Sequence, residues 1–372
     1  MFDKITLFDV NILGSDMLIK DRIIKLRKVM KESGLDGVLL VGDVNRNYFS
    51  GFTGDESYSV ITENKLIFIT DSRFTEQAKK QVKDYEVLQY NNKIENFISD
   101  IVEKYDIKNM GFEENVLTYE VYTGFKAALS CTLTPFGHKI EELRFIKDSS
   151  EIEKISHAAF IADKAFDHML NFIKEGQTER EVGLELEFFM RKMGASGLSF
   201  PSIVASGLRS SLPHGQATDK KLEKGDFLTL DFGCIYDEYC SDMTRTVVIG
   251  SPTDKMKEIY SIVLETNEKV LQAIKPGEST RKIDQKSRDI ISGYGYGECF
   301  GHGLGHSVGR EIHEKPYLNR STDSVLKSGM VVTDEPGIYI PGFGGVRIED
   351  LVLVTEDGCE ALSKSPKKLI CL

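Results

Sequence analysis

The sequence predicts an α/β (α+β) chain of two domains, and three features of its 372 residues carry the prediction. Helical and strand patterns alternate between residues 21 and 140, a helix-start signal stands near residue 150, and the part beyond it holds two copies of one pattern. Length by itself points to two or three domains.

The first element is DRIIKLRKVMKESG (21–34), with apolar residues at helical spacing and Gly34 as its stop. DGVLLVG (36–42) is a short apolar run between turn residues and reads as a buried strand. YSVIT and KLIFIT flank Glu63-Asn64 as the arms of a hairpin, and SRFTEQAKKQVKD (72–84) follows as an amphipathic helix. Ser150-x-x-Glu153 reads as a capping box that opens a new helix, with Ile152, Ile155, Ala159, Ala162 and Phe166 as its apolar face. We place the boundary near residue 147, giving domains at 1–147 and 148–372.

The second domain repeats itself. IKEGQTEREV (173–182) matches IKPGESTRKI (274–283) at an offset of 101, which also carries Gly194 onto Gly295. LEKGDFLTLD (222–231) matches LKSGMVVTDE (326–335) at an offset of 104, which sets Asp231 opposite Glu335. Both blocks keep their order, so duplication is a better reading than chance. Two copies folded about a pseudo-twofold axis would bring Asp231 and Glu335 to the centre. After each comes a turn and a second β-rich run, associated with Asp242 in one copy and Glu349 in the other. Four carboxylates at one centre repel strongly unless they share protons or hold cations.

Three of the seven histidines fall in FGHGLGHSVGREIHEKP, at positions 302, 306 and 313. The stretch alone is open equally to an ordinary glycine-rich loop and to a metal site, because neutral imidazole is the commonest nitrogen ligand and glycine permits close backbone approach. A phosphate cradle is unsupported, since no lysine or Ser/Thr follows the glycines as a nucleotide loop requires. Taken singly, Asp231 and Asp242 could be turn aspartates, Glu335 a solvated loop residue, and Glu349 a surface charge paired with Arg347. The repeat and the histidine cluster together outweigh those readings. Two divalent ions would offset the four charges, and His306 would add a nitrogen.

Composition narrows the partners. A net charge of −11, from 47 basic and 58 acidic residues, argues against nucleic acid. No apolar run approaches the ~20 residues that span a bilayer. The opening MFDKITLFDVNILGSD carries early aspartates and lacks the basic-then-apolar order of a signal peptide. The six cysteines form no C-x-x-C pair and read as reduced thiols, with Cys234 and Cys240 as small buried side chains. A cytoplasmic protein without membrane or nucleic-acid partners is expected.

Four segments then carry a resemblance. DFGCIYDEYCSDMTRT, GHGLGHSVGREIHEKP, DEPGIYIPG and GVRIEDLVLV are similar, in this order, to the metal-site segments of the pita-bread metallopeptidases, which include Xaa-Pro aminopeptidase, prolidase and methionine aminopeptidase. The resemblance implies five ligands at Asp231, Asp242, His306, Glu335 and Glu349, with Asp242 and Glu349 bridging two divalent ions. It also implies substrate-side histidines at His214, His302 and His313, an arginine at Arg347 and a supporting threonine at Thr244. NRNYFSGFTGDESYSVIT and ITDSRFTEQA resemble the N-terminal domain of bacterial Xaa-Pro aminopeptidases, a creatinase-type ribonuclease H-like fold. Methionine aminopeptidases lack that domain, and creatinase lacks the ligands.

Oxygen-rich ligation with one histidine suits manganese, and cobalt or zinc would also fit. Glu335 is the candidate proton shuttle, with His302 and His313 as donors to the carbonyl and tetrahedral oxygen. Even spacing would set His302 and His306 on one face of a strand. The expected activity is removal of the residue before a penultimate proline, whose missing N–H and fixed φ defeat ordinary peptidases. An Xaa-Pro dipeptidase is the alternative, and a scaffold without catalysis is a further one. A homodimer acting on proline-containing peptides is expected.

Overall fold

The structure, a computed structural model, describes residues 7–372, with side chains from residue 18 onward. The opening stretch read for targeting lies outside the residues whose side chains are described. The chain forms two compact units, one up to Arg144 and the other from Phe145.

In the first unit, α1 (Leu7–Glu32) begins well before residue 21 and ends two residues ahead of Gly34, whose φ is +68°. Strand β1 (Gly37–Leu40) is buried throughout, which accounts for its unbroken apolar run. It is followed by α2 (Asp43–Ser50), the hairpin β2 (Ser57–Thr62) and β3 (Leu66–Thr70), and α3 (Thr75–Gln81). The unit is completed by β4 (Glu86–Gln89), α4 (Ile94–Lys104), β5 (Asn109–Phe112), α5 (Tyr119–Ala128), β6 (Thr132–Pro135) and α6 (Gly137–Glu142). The six strands form one mixed sheet in the order β4-β3-β2-β1-β5-β6.

The second unit opens with α7 (Ser149–Phe172), and its cap differs from the expectation. Asp148, not Ser150, is the cap: its carboxylate accepts the Ser150 and Glu151 N–H groups at 3.0 Å, and Glu151 returns to the Asp148 N–H at 3.0 Å. Two capping patterns overlap in DSSEIE, and spacing cannot choose between them. Ile155, Ala159, Ala162 and Phe166 are buried as expected, while Ile152 is only half-buried.

The first half continues through α8 (Glu179–Lys192), β7 (Gly197–Leu198), β8 (Ile203–Ser206), β9 (Phe227–Phe232), β10 (Cys234–Tyr236), β11 (Tyr239–Cys240) and β12 (Met243–Val248). The second half runs through α9 (Asp254–Leu271), α10 (Thr280–Gly293), β13 (Gly305–Ser307), β14 (Glu314–Leu318), β15 (Val331–Asp334), β16 (Gly337–Ile340), β17 (Gly344–Arg347), β18 (Asp350–Val354) and β19 (Cys359–Ala361). The repeat is visible in backbone detail. Gly176 and Gly277 share φ values of 86° and 87°, and their N–H groups donate to Leu222 and Leu326, the first residues of the second repeated block, both at 2.9 Å. In each half an antiparallel pair, β9 with β12 or β15 with β18, carries the carboxylate segments.

The halves are stitched at their centre. Glu349 N–H donates to Thr244 O at 3.1 Å, and Thr246 Oγ1 donates to Arg347 O at 2.9 Å. Arg245, 1 % exposed, pairs with Asp350 at 2.8 Å.

The glycines of the histidine stretch have separate reasons to be glycine. A Cβ on Gly305 would stand far inside contact distance of Thr333 O on the neighbouring strand, whereas one on Gly301 would meet nothing within 4 Å. His302 does not lie on the strand with His306. Arg288 takes the carbonyls of Phe300, at 3.1 Å, and of His302, which withdraws them from any ladder, so β13 starts only at Gly305.

Gly305→Ala is therefore expected to cost about 1–3 kcal/mol by overpacking and to lower Tm, while Gly301→Ala leaves Tm within a degree or so. Thermal unfolding of both variants followed by circular dichroism checks this contrast.

Candidate active site

A cavity of about 410 Å³ in the second unit is lined by His214, Asp231, Asp242, His302, His306, His313, Glu335, Arg347 and Glu349. The fold thus gathers at one place nine of the ten side chains singled out in the sequence, and the tenth, Thr244, stands behind them, bonded to Arg347 and Glu349. Asp231 stands on β9, Asp242 just before β12, His306 on β13, Glu335 just after β15 and Glu349 just before β18. Strand ends supply the acids because each antiparallel pair fixes where its chain enters and leaves the centre.

Ligand atoms of Asp242, His306 and Glu349 lie within 4.8 Å of one another. His306 Nε2 is 3.6 Å from Asp242 Oδ2 and 3.5 Å from Glu335 Oε1. Its Nδ1 faces Ser307 O at 3.1 Å. A carbonyl only accepts, so Nδ1 carries the proton and Nε2 turns a lone pair toward the acids. Burial pushes the His306 pKa down to about 4, so the ring is neutral at pH 7.

One cation stands among the acids. Arg347 Nη2 donates to Asp231 Oδ2, its Nη1 to Tyr339 Oη at 2.7 Å and its Nε to Thr244 Oγ1 at 3.0 Å. Thr244 Oγ1 in turn donates to Glu349 Oε2 at 2.6 Å. One guanidinium cannot offset four carboxylates. Burial first, and then the neighbouring acids, hold Asp242 and Glu349 well above the ordinary carboxylate range. Glu335 is likewise pushed up, to about 8, chiefly by burial.

Divalent cations suit this set of donors. Asp231 Oδ1 and Asp242 Oδ1 are buried and accept no hydrogen bond among the described residues, and a bare buried carboxylate oxygen is costly unless a cation takes it. Together with the lone pair of His306 they form the oxygen-rich, single-nitrogen donor set that such ions bind.

The other three histidines of the cavity differ from one another. His302 Nδ1 faces Gly303 O at 2.7 Å, and its Nε2 accepts from Tyr339 Oη at 2.9 Å, so both ring nitrogens are engaged. His214 and His313 make no side-chain hydrogen bond among the described residues, and His313 stacks edge-on to His306 with centroids 4.4 Å apart. Of these three histidines, only His214 and His313 have both ring nitrogens open among the described residues. Burial, and next His214, push the pKa of His313 down.

Tyr339 was not foreseen. It stands on β16 opposite Gly345 of β17, and its ring lies over the bare backbone of Gly337, which faces Arg347 across the hairpin. The alternation Gly-Ile-Tyr in DEPGIYIPG is the one signal that could have pointed to it. Its hydroxyl joins Arg347 to His302, completing a chain from Asp231 to the cavity wall.

Comparison with known proteins gives the site its context. Residues 153–356 match the model of metallopeptidase family M24, and residues 22–146 that of the creatinase/prolidase N-terminal domain. The chain is 42 % identical over 354 residues to an Xaa-Pro dipeptidase of Pyrococcus furiosus, covering 94 % of this chain and 100 % of that one. Among solved structures it is similar to the Xaa-Pro dipeptidase from Bacillus anthracis (50 % identity, TM-score 0.93, 95 % of this chain and 100 % of that one). It is also similar to the X-Pro aminopeptidase from Thermotoga maritima (40 % identity, TM-score 0.87, 91 % and 98 % covered).

The acid cluster predicts a pH dependence. Histidines lowered from 6.5 to about 4 favour folding increasingly as pH rises through that window, and add nothing further above it. Carboxylates raised in the folded state bind protons that the unfolded chain has released, so stability falls as pH rises toward a folded pKa of about 8 for Glu335. Tm of the metal-stripped protein should therefore drop between pH 6.5 and 8, and adding divalent metal should flatten that slope. Differential scanning calorimetry with and without chelator reads both.

Proposed function

The chain belongs to metallopeptidase family M24, and from that membership we propose that it hydrolyses Xaa-Pro peptide bonds with two divalent ions held by Asp231, Asp242, His306, Glu335 and Glu349. The observation that carries this reading is the cluster of buried acids around the open nitrogen of His306, in a cavity also lined by Phe200, Pro201, Ile203 and Pro213. Those four side chains offer a proline ring an apolar surface and ask for no N–H from it. Manganese is the ion we propose, with cobalt and zinc as alternatives. When bound, such ions supply Lewis acidity, acidifying water and polarising the scissile carbonyl.

The chain's own groups take the remaining roles. Glu335, the one acid of the four that is not fully buried, is suited to receive a proton from water and pass it to the leaving proline nitrogen. His313 and His214, with ring nitrogens uncommitted, are suited to donate to the substrate's carbonyl oxygen. His302, held from both sides, shapes the wall instead.

Relatives named Xaa-Pro dipeptidase favour the dipeptide as substrate, and we take that reading ahead of the aminopeptidase expected from the sequence. One observation favours the aminopeptidase. Arg347 is the only Lys or Arg lining the cavity among the described residues, and its hydrogen bonds are already spent on Asp231, Tyr339 and Thr244. A free proline carboxylate would find no uncommitted cation of the protein there, while a longer peptide would not require one.

Ala-Pro and Ala-Pro-Ala-Ala at equal concentration decide the matter: turnover confined to Ala-Pro is the expected result, and comparable kcat/KM on the tetrapeptide would establish the aminopeptidase. Asp242→Ala and Glu349→Ala should lose bound metal by elemental analysis along with turnover. His313→Ala should keep its metal and lose roughly 10²–10³-fold in kcat.

A further inference from the structure

The two histidines with open ring nitrogens, His214 and His313, are both exposed, and no side-chain hydrogen bond holds either one among the described residues. Their placement therefore depends on the loops that carry them. Each loop is tied at its base by a buried carboxylate that has no part in the acid cluster.

Glu179, the first residue of α8, is 0 % exposed. Its Oε1 accepts from Ser206 N at 2.7 Å and Ser206 Oγ at 2.9 Å, and its Oε2 from Thr218 Oγ1 at 2.7 Å and Thr218 N at 3.0 Å. Arg209 pairs with the same carboxylate at 3.0 Å and donates to Gln216 O at 2.6 Å. One side chain thus closes the 206–218 loop at both ends, with His214 at its exposed part.

Glu314 is 5 % exposed and stands next to His313. Its Oε1 accepts from Arg310 N at 3.1 Å and Glu311 N at 3.3 Å, and its Oε2 from the buried Lys147 Nζ at 3.1 Å. A Cβ on Gly309 would collide with this carboxylate, which explains that glycine. A buried ion pair is a poor source of stability compared with packed apolar side chains, so its use here calls for a geometric reason.

We propose that Glu179 and Glu314 are positioning residues, each fixing the loop that presents one of the two histidines to the substrate. The inference rests on reading the cavity as a peptidase site. It assigns Glu179 to His214 and Glu314 to His313, which makes it separable from a general role in folding. A carboxylate that acts through one histidine has little left to lose once that histidine is gone.

The test places Glu179→Gln and Glu314→Gln in three backgrounds, wild type, His214→Ala and His313→Ala, and measures kcat and KM on Ala-Pro beside metal content and Tm. In the wild-type background each Gln variant is expected to lower kcat roughly 10–30-fold with metal content retained, since a misplacement near 1 Å can cost up to about 10²-fold. In the matched background, Glu179→Gln with His214→Ala or Glu314→Gln with His313→Ala, the further loss should shrink below about 3-fold. In the crossed backgrounds it should keep its full size. Equal losses in matched and crossed backgrounds would overturn the inference and leave the peptidase reading intact. His214→Ala and His313→Ala single variants that both retain full kcat would overturn the roles of the histidines themselves. Where a Gln variant fails to fold, the Asp variant keeps the charge but draws the oxygens back by one methylene. It enters the same comparison under the same criteria.

Discussion

Four carboxylates, Asp231, Asp242, Glu335 and Glu349, are held together in a buried centre where their charges repel, and the rest of the second unit is arranged around that repulsion. The duplication supplies the acids two at a time, each pair framed by an antiparallel strand pair. The seam between the halves supplies rigidity, because Thr244, Thr246 and Arg245 tie the first half to the segment 347–350 of the second. Divalent cations would relieve this repulsion, since deprotonated acids are stable there only when cations accompany them.

Arg347 shows how limited the protein's own compensation is. Its three nitrogens reach Asp231, Tyr339 and Thr244, so it neutralises one acid directly and a second only through a hydroxyl relay. Guanidinium geometry permits this division of labour, since each N–H points along a fixed direction. The same network runs on through Tyr339 to His302, which couples the wall of the cavity to its acidic floor. A change at any member should be felt by the others, as in any low-dielectric chain of hydrogen bonds.

Outside this centre a second tier of carboxylates serves position instead of ligation. Glu179 and Glu314 each spend both oxygens on backbone N–H groups or on a paired cation, leaving nothing for an ion. Asp231 and Asp242 each keep one oxygen bare. That difference in saturation separates a structural acid from a candidate ligand more clearly than burial, which all four share.

By itself the sequence determined what depends on short-range pattern and on comparison of one segment with another. The hairpin about Glu63-Asn64 follows from residues a few positions apart, and the repeat, with offsets of 101 and 104, is a comparison of the string with itself. Asp231, Asp242, His306, Glu335 and Glu349 could be singled out because they stand in motif segments that resemble a known family, and all five line one cavity. Only the tertiary structure decided the rest, because it turns on the actual geometry of contacts and not on residue spacing. His302 leaves the strand of His306 because Arg288, on α10, captures its carbonyl. The cap falls on Asp148 because only coordinates distinguish two overlapping boxes. Tyr339 enters the site because β16 folds back on β17, and Glu314 meets Lys147 across 167 residues. Periodicity carries no information about such contacts, since their geometry exists only once the chain has folded.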